Sequence, residues 1–142
     1  MSEKFVSKSE IVINVPASKV WEALTSPDII KQYLFGTNTV TDWKVGSPIY
    51  YRGEWEGKKY EDKGEILAFE PEKLLKTTYW SSMGGLADIP ENYQTVSYEL
   101  LFADGKTTLT LTQENSVSQK SVDDSGNNWK MVLGKMKEIV EK

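Results

Sequence analysis

Apolar residues near the C-terminus fall at helical spacing. Trp129, Val132, Leu133, Met136, Ile139 and Val140 stand at i, i+3, i+4, i+7, i+10 and i+11. That period predicts a helix over about 127–142 with one apolar stripe. Lys130, Lys135, Lys137, Glu138 and Glu141 fall off the stripe and are expected to face water. Before this helix the dominant period is two. Ile11, Ile13 and Val15 alternate with Glu10, Val12 and Asn14, predicting a strand that Pro16 ends. Residues 17–25 then turn helical, with Val20, Trp21 and Leu24 as the inner face. Ser26 and Pro27 are placed as N-cap and first residue of a second short helix, and Gly36 suits its left-handed C-terminus.

From Thr37 to Asn115 the pattern reads as strands. Residues 37–42 make a weak one, followed by a turn anchored by Trp43. Over 49–55, Ile49, Tyr51, Gly53 and Trp55 share a face opposite Tyr50, Arg52 and Glu54. After a turn at Glu56-Gly57-Lys58, residues 59–69 place Tyr60, Gly64, Ile66 and Ala68 opposite Glu61, Lys63, Glu65 and Leu67. Residues 74–81 and 95–103 continue the pattern, the latter with Val96, Tyr98, Leu100 and Phe102 on one face. Asp104-Gly105 is a hairpin turn of type I′, because both residues tolerate positive φ. The strand 106–115 turns Leu109 and Leu111 inward. Residues 82–94 lack a period and hold Gly84-Gly85 and Pro90, predicting a mobile loop. Residues 116–128 read as a polar connection, with Asp123, Asp124 and Ser125 as candidate N-caps. The order is β-α-α-β6-α. It predicts an α+β domain: a curved antiparallel sheet of adjacent hairpins laid against a long C-terminal helix, spanning 1–142 as a single unit.

Composition narrows the chemistry. The 142 residues hold no Cys and no His, which removes the thiol nucleophile, the commonest general base and the usual zinc ligands. No metal, cofactor or catalytic residue is expected. A net charge of -4 without a basic stripe argues against nucleic acid. No apolar run is long enough for a membrane span, so a cytoplasmic protein is the expectation. Gly84-Gly85 lacks the Lys-Ser/Thr of a phosphate loop. Glu54, Glu56, Glu61, Asp62 and Glu65 gather around one hairpin and are read as a solvated surface. Arg52, the single arginine, has outward parity but would reach a ligand carboxylate if a bulge shifted its register.

Five Trp and seven Tyr remain to be placed. They either fill a core or line an apolar pocket. Gly53 and Gly64, inside strands, favour a bend that would lift the sheet off the helix. Inward tyrosines need partners for their hydroxyls, which a ligand or water supplies. The candidate ligand-binding residues are Tyr51, Trp55, Ile66, Tyr79, Met83, Val96, Tyr98, Leu109, Trp129, Leu133 and Met136. Met83 belongs to the 82–94 loop, which would gate the pocket.

Several segments together carry a family resemblance: Pro16-Ala17-Ser18-Lys19-Val20-Trp21-Glu22-Ala23-Leu24-Thr25, Trp43-Lys44-Val45-Gly46-Ser47-Pro48, Gly64-Glu65-Ile66, Glu70-Pro71 with Leu74-Leu75, Val96 to Leu100, Thr107 to Thr112, and Asn128-Trp129. In this order they resemble the START-like helix-grip superfamily, in the branch similar to the C-terminal domain of the activator of Hsp90 ATPase. The resemblance implies a seven-stranded sheet gripping the last helix, with a cavity between them for a lipophilic ligand. Many relatives have His where Gln113 stands, so His-dependent chemistry is not carried over; many have Gly where Asn128 stands. The expected function is non-enzymatic binding of a small hydrophobic or aromatic molecule. Two alternatives are a protein-interaction module, co-chaperone-like or stress-related, with an unknown partner, and an enzyme of the same fold such as a polyketide cyclase. A continuous void favours the binder, a filled core with an exposed apolar patch the module, and a deep group of perturbed pKa the enzyme.

Overall fold

The computed structural model describes residues 5–34, 36–81, 87–116 and 119–141; the side chains of Phe5, Trp55, Ser116 and Ser121 lie outside that description. The strands are β1 (Phe5–Ile13), β2 (Asn38–Thr41), β3 (Pro48–Trp55), β4 (Lys58–Glu70), β5 (Leu74–Tyr79), β6 (Gln94–Ala103) and β7 (Lys106–Ser116). The helices are α1 (Ala17–Thr25), α2 (Pro27–Tyr33) and α3 (Gln119–Val140). One antiparallel sheet runs in the order β1-β7-β6-β5-β4-β3-β2. Strands β2 to β7 form a meander of successive neighbours, and β1 adds to its far edge beside β7. The α+β architecture expected from the hydrophobic pattern, and the helix-grip fold implied by the family resemblance, are observed.

Turn chemistry sets the registers. Glu56-Gly57 and Asp104-Gly105 each have positive φ at both positions (50° and 82°, 53° and 76°), the geometry whose twist matches the flanking strands. Lys58, expected in the first turn, already belongs to β4. Gly36, with φ 81°, takes the left-handed position after α2. Ser26 stands at the N-cap of α2, but its side chain makes no cap hydrogen bond, so Pro27 at the first position carries the helix start.

The alternation of β4 breaks where none was expected. Register shifts between Ile66, opposite Thr77, and Ala68, opposite Lys76. Leu67 is the extra residue and is 40 % exposed. Beyond this bulge Phe69 pairs with buried Leu75, so Phe69 faces inward and Ala68 does not share the face of Ile66. Phe69 lies edge-on to Trp21 at 5.2 Å and near Trp43 at 6.4 Å.

Helix α3 begins at Gln119, ten residues before Trp129 opens its apolar stripe. Asp123, Asp124 and Ser125 are therefore interior residues, not caps. The polar opening turns are held by pairs four residues apart: the Gln119 amide donates to Asp123 and Lys120 bonds Asp124, both at 3.1 Å. Farther along, Val132, Leu133 and Met136 are no more than 2 % exposed. Each such side chain contributes about 1.5–3 kcal/mol by burial. They close a core with Val20, Ala23 and Leu24 of α1, Ile30 of α2 and Ile66, Leu100, Leu109 and Leu111 of the sheet. α1 packs against β6, β7 and α3, while α2 packs against the edge strand β2 and α3. This half of the molecule is filled.

Candidate functional site

The other half is not filled. A cavity of about 680 Å³ lies between the sheet and the N-terminal half of α3. Period-two alternation aims its sheet wall: Tyr60 and Asp62 from β4, Thr77 and Tyr79 from β5, Val96 and Tyr98 from β6. Tyr51 of β3 and Gln113 of β7 extend that wall on either side. Ser125, Asn128, Trp129 and Met131 form the helix wall, and Leu34 and Thr37 close the α2–β2 end. Asn128 and Met131 are exposed and mark the mouth. Ser81 and Gln94, the described ends of the connection from β5 to β6, also line it.

Two glycines make this shape possible. A Cβ on Gly53 would sit 2.4 Å from the Tyr60 hydroxyl, so the missing side chain lets that ring lie across β3. A Cβ on Gly64 would sit 1.8 Å from the Thr78 carbonyl oxygen. There the β4–β5 ladder is interrupted: the Glu65 N–H donates to Thr78 Oγ1 at 2.8 Å, and backbone pairing resumes at Lys63 and Trp80. Both strand glycines therefore serve close approach.

The cavity is aromatic with ordered polar edges. Tyr51 and Tyr79 meet edge-on at 5.9 Å, and Tyr98 meets Trp129 edge-on at 6.2 Å. Tyr79 donates to Asp62 Oδ2 at 2.8 Å, and Tyr51 shares a hydrogen bond with Thr77. Tyr60 and Thr37 share another at 2.5 Å. The Trp129 indole N–H donates to Gln113 Oε1 at 2.8 Å, and Gln113 Nε2 donates to Gln94 Oε1 at 2.5 Å. Burial is the first cause that pushes the Tyr51, Tyr79 and Tyr98 phenols above their ordinary 10.0. The negative charge of Asp62 adds to the shift at Tyr51 and Tyr79, and a hydrogen bond to Asp62 adds at Tyr79. Among the described residues no group of three His, Cys, Asp or Glu side chains is placed to hold a metal.

The expected binding residues divide by position along α3. Tyr51, Tyr79, Val96, Tyr98 and Trp129 line the cavity. Ile66, Leu109, Leu133 and Met136 do not; they are packed in the core beside it. The Trp55 side chain and Met83 lie outside the described residues, as does Gly84-Gly85. The later part of the expected mobile loop is structured. Pro90–Asn92 form a 3-10 turn, Gln94 opens β6, and Asn115 Nδ2 donates to the Glu91 and Tyr93 carbonyls. Lys63 bonds Asp88 at 2.5 Å, and Tyr93 stacks on Trp80.

Asp62 corrects the reading of the hairpin carboxylates. Glu54, Glu61 and Glu65 are exposed, whereas Asp62 faces the cavity. Its parity with Tyr60 was the available signal. Arg52 stays outside, on Glu61 at 2.6 Å, because β3 runs without a bulge.

A curved antiparallel sheet gripping a terminal helix, with an aromatic cavity beside a filled core, defines a START-like helix-grip protein. The chain belongs to the activator of Hsp90 ATPase homolog 1-like protein family, whose model matches residues 14–141. The solution structure of ChR145 from Cytophaga hutchinsonii is 43% identical, covering 99% of this chain and 97% of that one, with a TM-score of 0.87. MLL2253 from Mesorhizobium loti is 22% identical over 96% of this chain and 97% of its own, with a TM-score of 0.79. The Aha1 dimer from Colwellia psychrerythraea is 18% identical over 96% of each chain, with a TM-score of 0.74. The last two show likeness of fold. No curated protein sequence matches. Among the described residues no helix is long and apolar enough to cross a membrane.

Proposed function

We propose that this chain binds a small lipophilic or aromatic molecule, without transforming it, in the cavity between the sheet and α3. The observation that carries this reading is the void itself: about 680 Å³ walled by Tyr51, Tyr79, Tyr98 and Trp129, next to a core that is closed. Small-molecule sites typically run about 300–1,000 Å³ with mostly apolar walls and a few aimed polar groups. Burying about 200–300 Å² of a flat apolar ligand there contributes about 5–8 kcal/mol before association costs. The Tyr51, Tyr79 and Tyr98 phenols are raised chiefly by burial, so at neutral pH they stay protonated and offer hydroxyl groups that orient an occupant. A protein-interaction role draws support from Leu101 and Phe102, which are 70 % and 51 % exposed near the end of β6.

The test is a chemical-shift titration with flavonoids, sterols and fatty acids. Binding in the cavity moves the Trp129 indole N–H and the amides of Val96 and Tyr98. A Val96→Trp variant, which fills the void, abolishes those shifts. If no compound in the panel moves these signals, the binding reading is wrong.

A further inference from the structure

We propose that Tyr98 anchors the occupant and sets its class: a neutral aromatic ketone, its rings against Tyr51, Tyr79 and Trp129 and its carbonyl oxygen accepting from the Tyr98 hydroxyl. This rests on the cavity being a ligand site and adds the chemical class of the occupant. The buried phenols differ in what they already bond. Tyr79 donates to Asp62, Tyr51 shares a bond with Thr77, and Tyr60 shares one with Thr37. Tyr33 of α2 donates to the Ala23 carbonyl at 2.8 Å. The Tyr98 hydroxyl bonds no protein group among the described residues. Nor is it sealed in: among the described residues the fully buried side-chain oxygen without a partner is Thr39 Oγ1. The Tyr98 hydroxyl therefore opens on the void that its residue lines.

The ring that carries this hydroxyl is fixed. Tyr98 stands on β6 between Leu75 of β5 and Leu111 of β7, both buried, and meets Trp129 edge-on. A phenylalanine would make the same contacts, so nothing in the fold uses the hydroxyl. A phenol donates more strongly than it accepts, because its oxygen shares electron density with the ring. Burial first, then the nearby Tyr51, Tyr33 and Tyr79, keep this one protonated at neutral pH. Such a donor calls for an acceptor on the ligand. Among the described residues lining the cavity there is no Lys or Arg to balance an anionic acceptor. A carboxylate would lose its hydration there without a counter-charge, whereas a ketone oxygen is neutral. A hydrocarbon would cover the rings and leave the hydroxyl buried without a partner.

Three probes of similar shape test this: acetylnaphthalene, isopropenylnaphthalene, in which a methylene replaces the carbonyl oxygen, and naphthoate. Each is titrated at neutral pH into the wild-type protein and into Tyr98→Phe while the Trp129 indole N–H is followed. The ketone-to-alkene affinity ratio should fall about fivefold in the variant, the scale of one neutral hydrogen bond, and naphthoate should bind weakest to the wild type. Two wild-type signals stand even if the variant does not fold. The carbonyl carbon of the bound ketone should resonate downfield of its position in hexane, and the ketone methyl should show a nuclear Overhauser contact to the Tyr98 ring. An unchanged ratio, a carbonyl carbon at its hexane position, a missing contact to Tyr98 or tightest binding of naphthoate overturns the anchor and leaves the cavity reading intact. Silence of the Trp129 signal with all three probes overturns both.

Discussion

The Trp129 indole N–H donates to Gln113 Oε1 at 2.8 Å, joining α3 to β7 at the wall of the cavity. Gln113 is 8 % exposed and passes its own N–H to Gln94 on β6. One amide thus ties the helix to two strands where apolar packing thins out. Replacing it by an apolar residue leaves a half-buried indole donor without its acceptor.

Gln113→Leu should therefore destabilise the fold by about 1–3 kcal/mol in urea unfolding. A double-mutant cycle with Trp129→Phe isolates the pair and should return a coupling of about 1 kcal/mol. A coupling indistinguishable from zero would show that the bond does not hold the helix.

Two glycine substitutions should move stability in opposite directions. At Gly64 a methyl meets a backbone oxygen at 1.8 Å, so the β4–β5 ladder has to shift. Gly64→Ala should cost at least about 2 kcal/mol. At Gly134, inside α3, nothing lies within 4 Å of the added carbon. Gly134→Ala should stabilise by about 0.5–1 kcal/mol through the helix preference for alanine. Thermal melts of the two variants, run side by side, check both signs.

Tyr33, Tyr51, Tyr79 and Tyr98 have folded-state pKa values raised above 10.0, in each case chiefly by burial. The folded state prefers these phenols protonated. Their contribution to stability is fully present below pH 10 and is lost as pH rises above it. In an alkaline titration followed by tyrosinate absorbance, these four should ionise only together with the loss of far-ultraviolet circular dichroism. Four smooth ionisations in a chain that keeps its circular dichroism would contradict the burial.

Sequence pattern conveyed the strands, the hairpin order from β2 to β7 and the inward faces outside the β4 bulge, because a one-residue slip would expose buried side chains; it did not place β1 beside β7. It could not convey the start of α3. Residues 119–126 are polar apart from Val122, and the side-chain pairs along them leave no apolar period. The bulge at Leu67 was equally silent, since it uses no glycine. Inward parity also does not separate a core residue from a cavity residue. Trp129 and Met136 lie on one stripe seven residues apart, yet one lines the void and the other is buried at 1 % exposure. The difference lies in where the sheet parts from the helix, and that is a property of the assembled strands. Asp62 was legible by parity, but its charge pulled the reading toward solvent.

The pairing of β1 with β7 bears on how the chain folds. Phe5 lies opposite Ser116 and Ile13 opposite Thr107, so among the described residues β1 pairs with β7, the strand most distant from it in sequence. Contacts of such long sequence separation slow folding, because loop closure precedes any gain from pairing. During synthesis the meander from β2 to β6 can form hairpin by hairpin, while β1 waits unpaired until β7 has left the ribosome. That interval leaves β6 as an open edge, the point at which a chaperone would have something to protect.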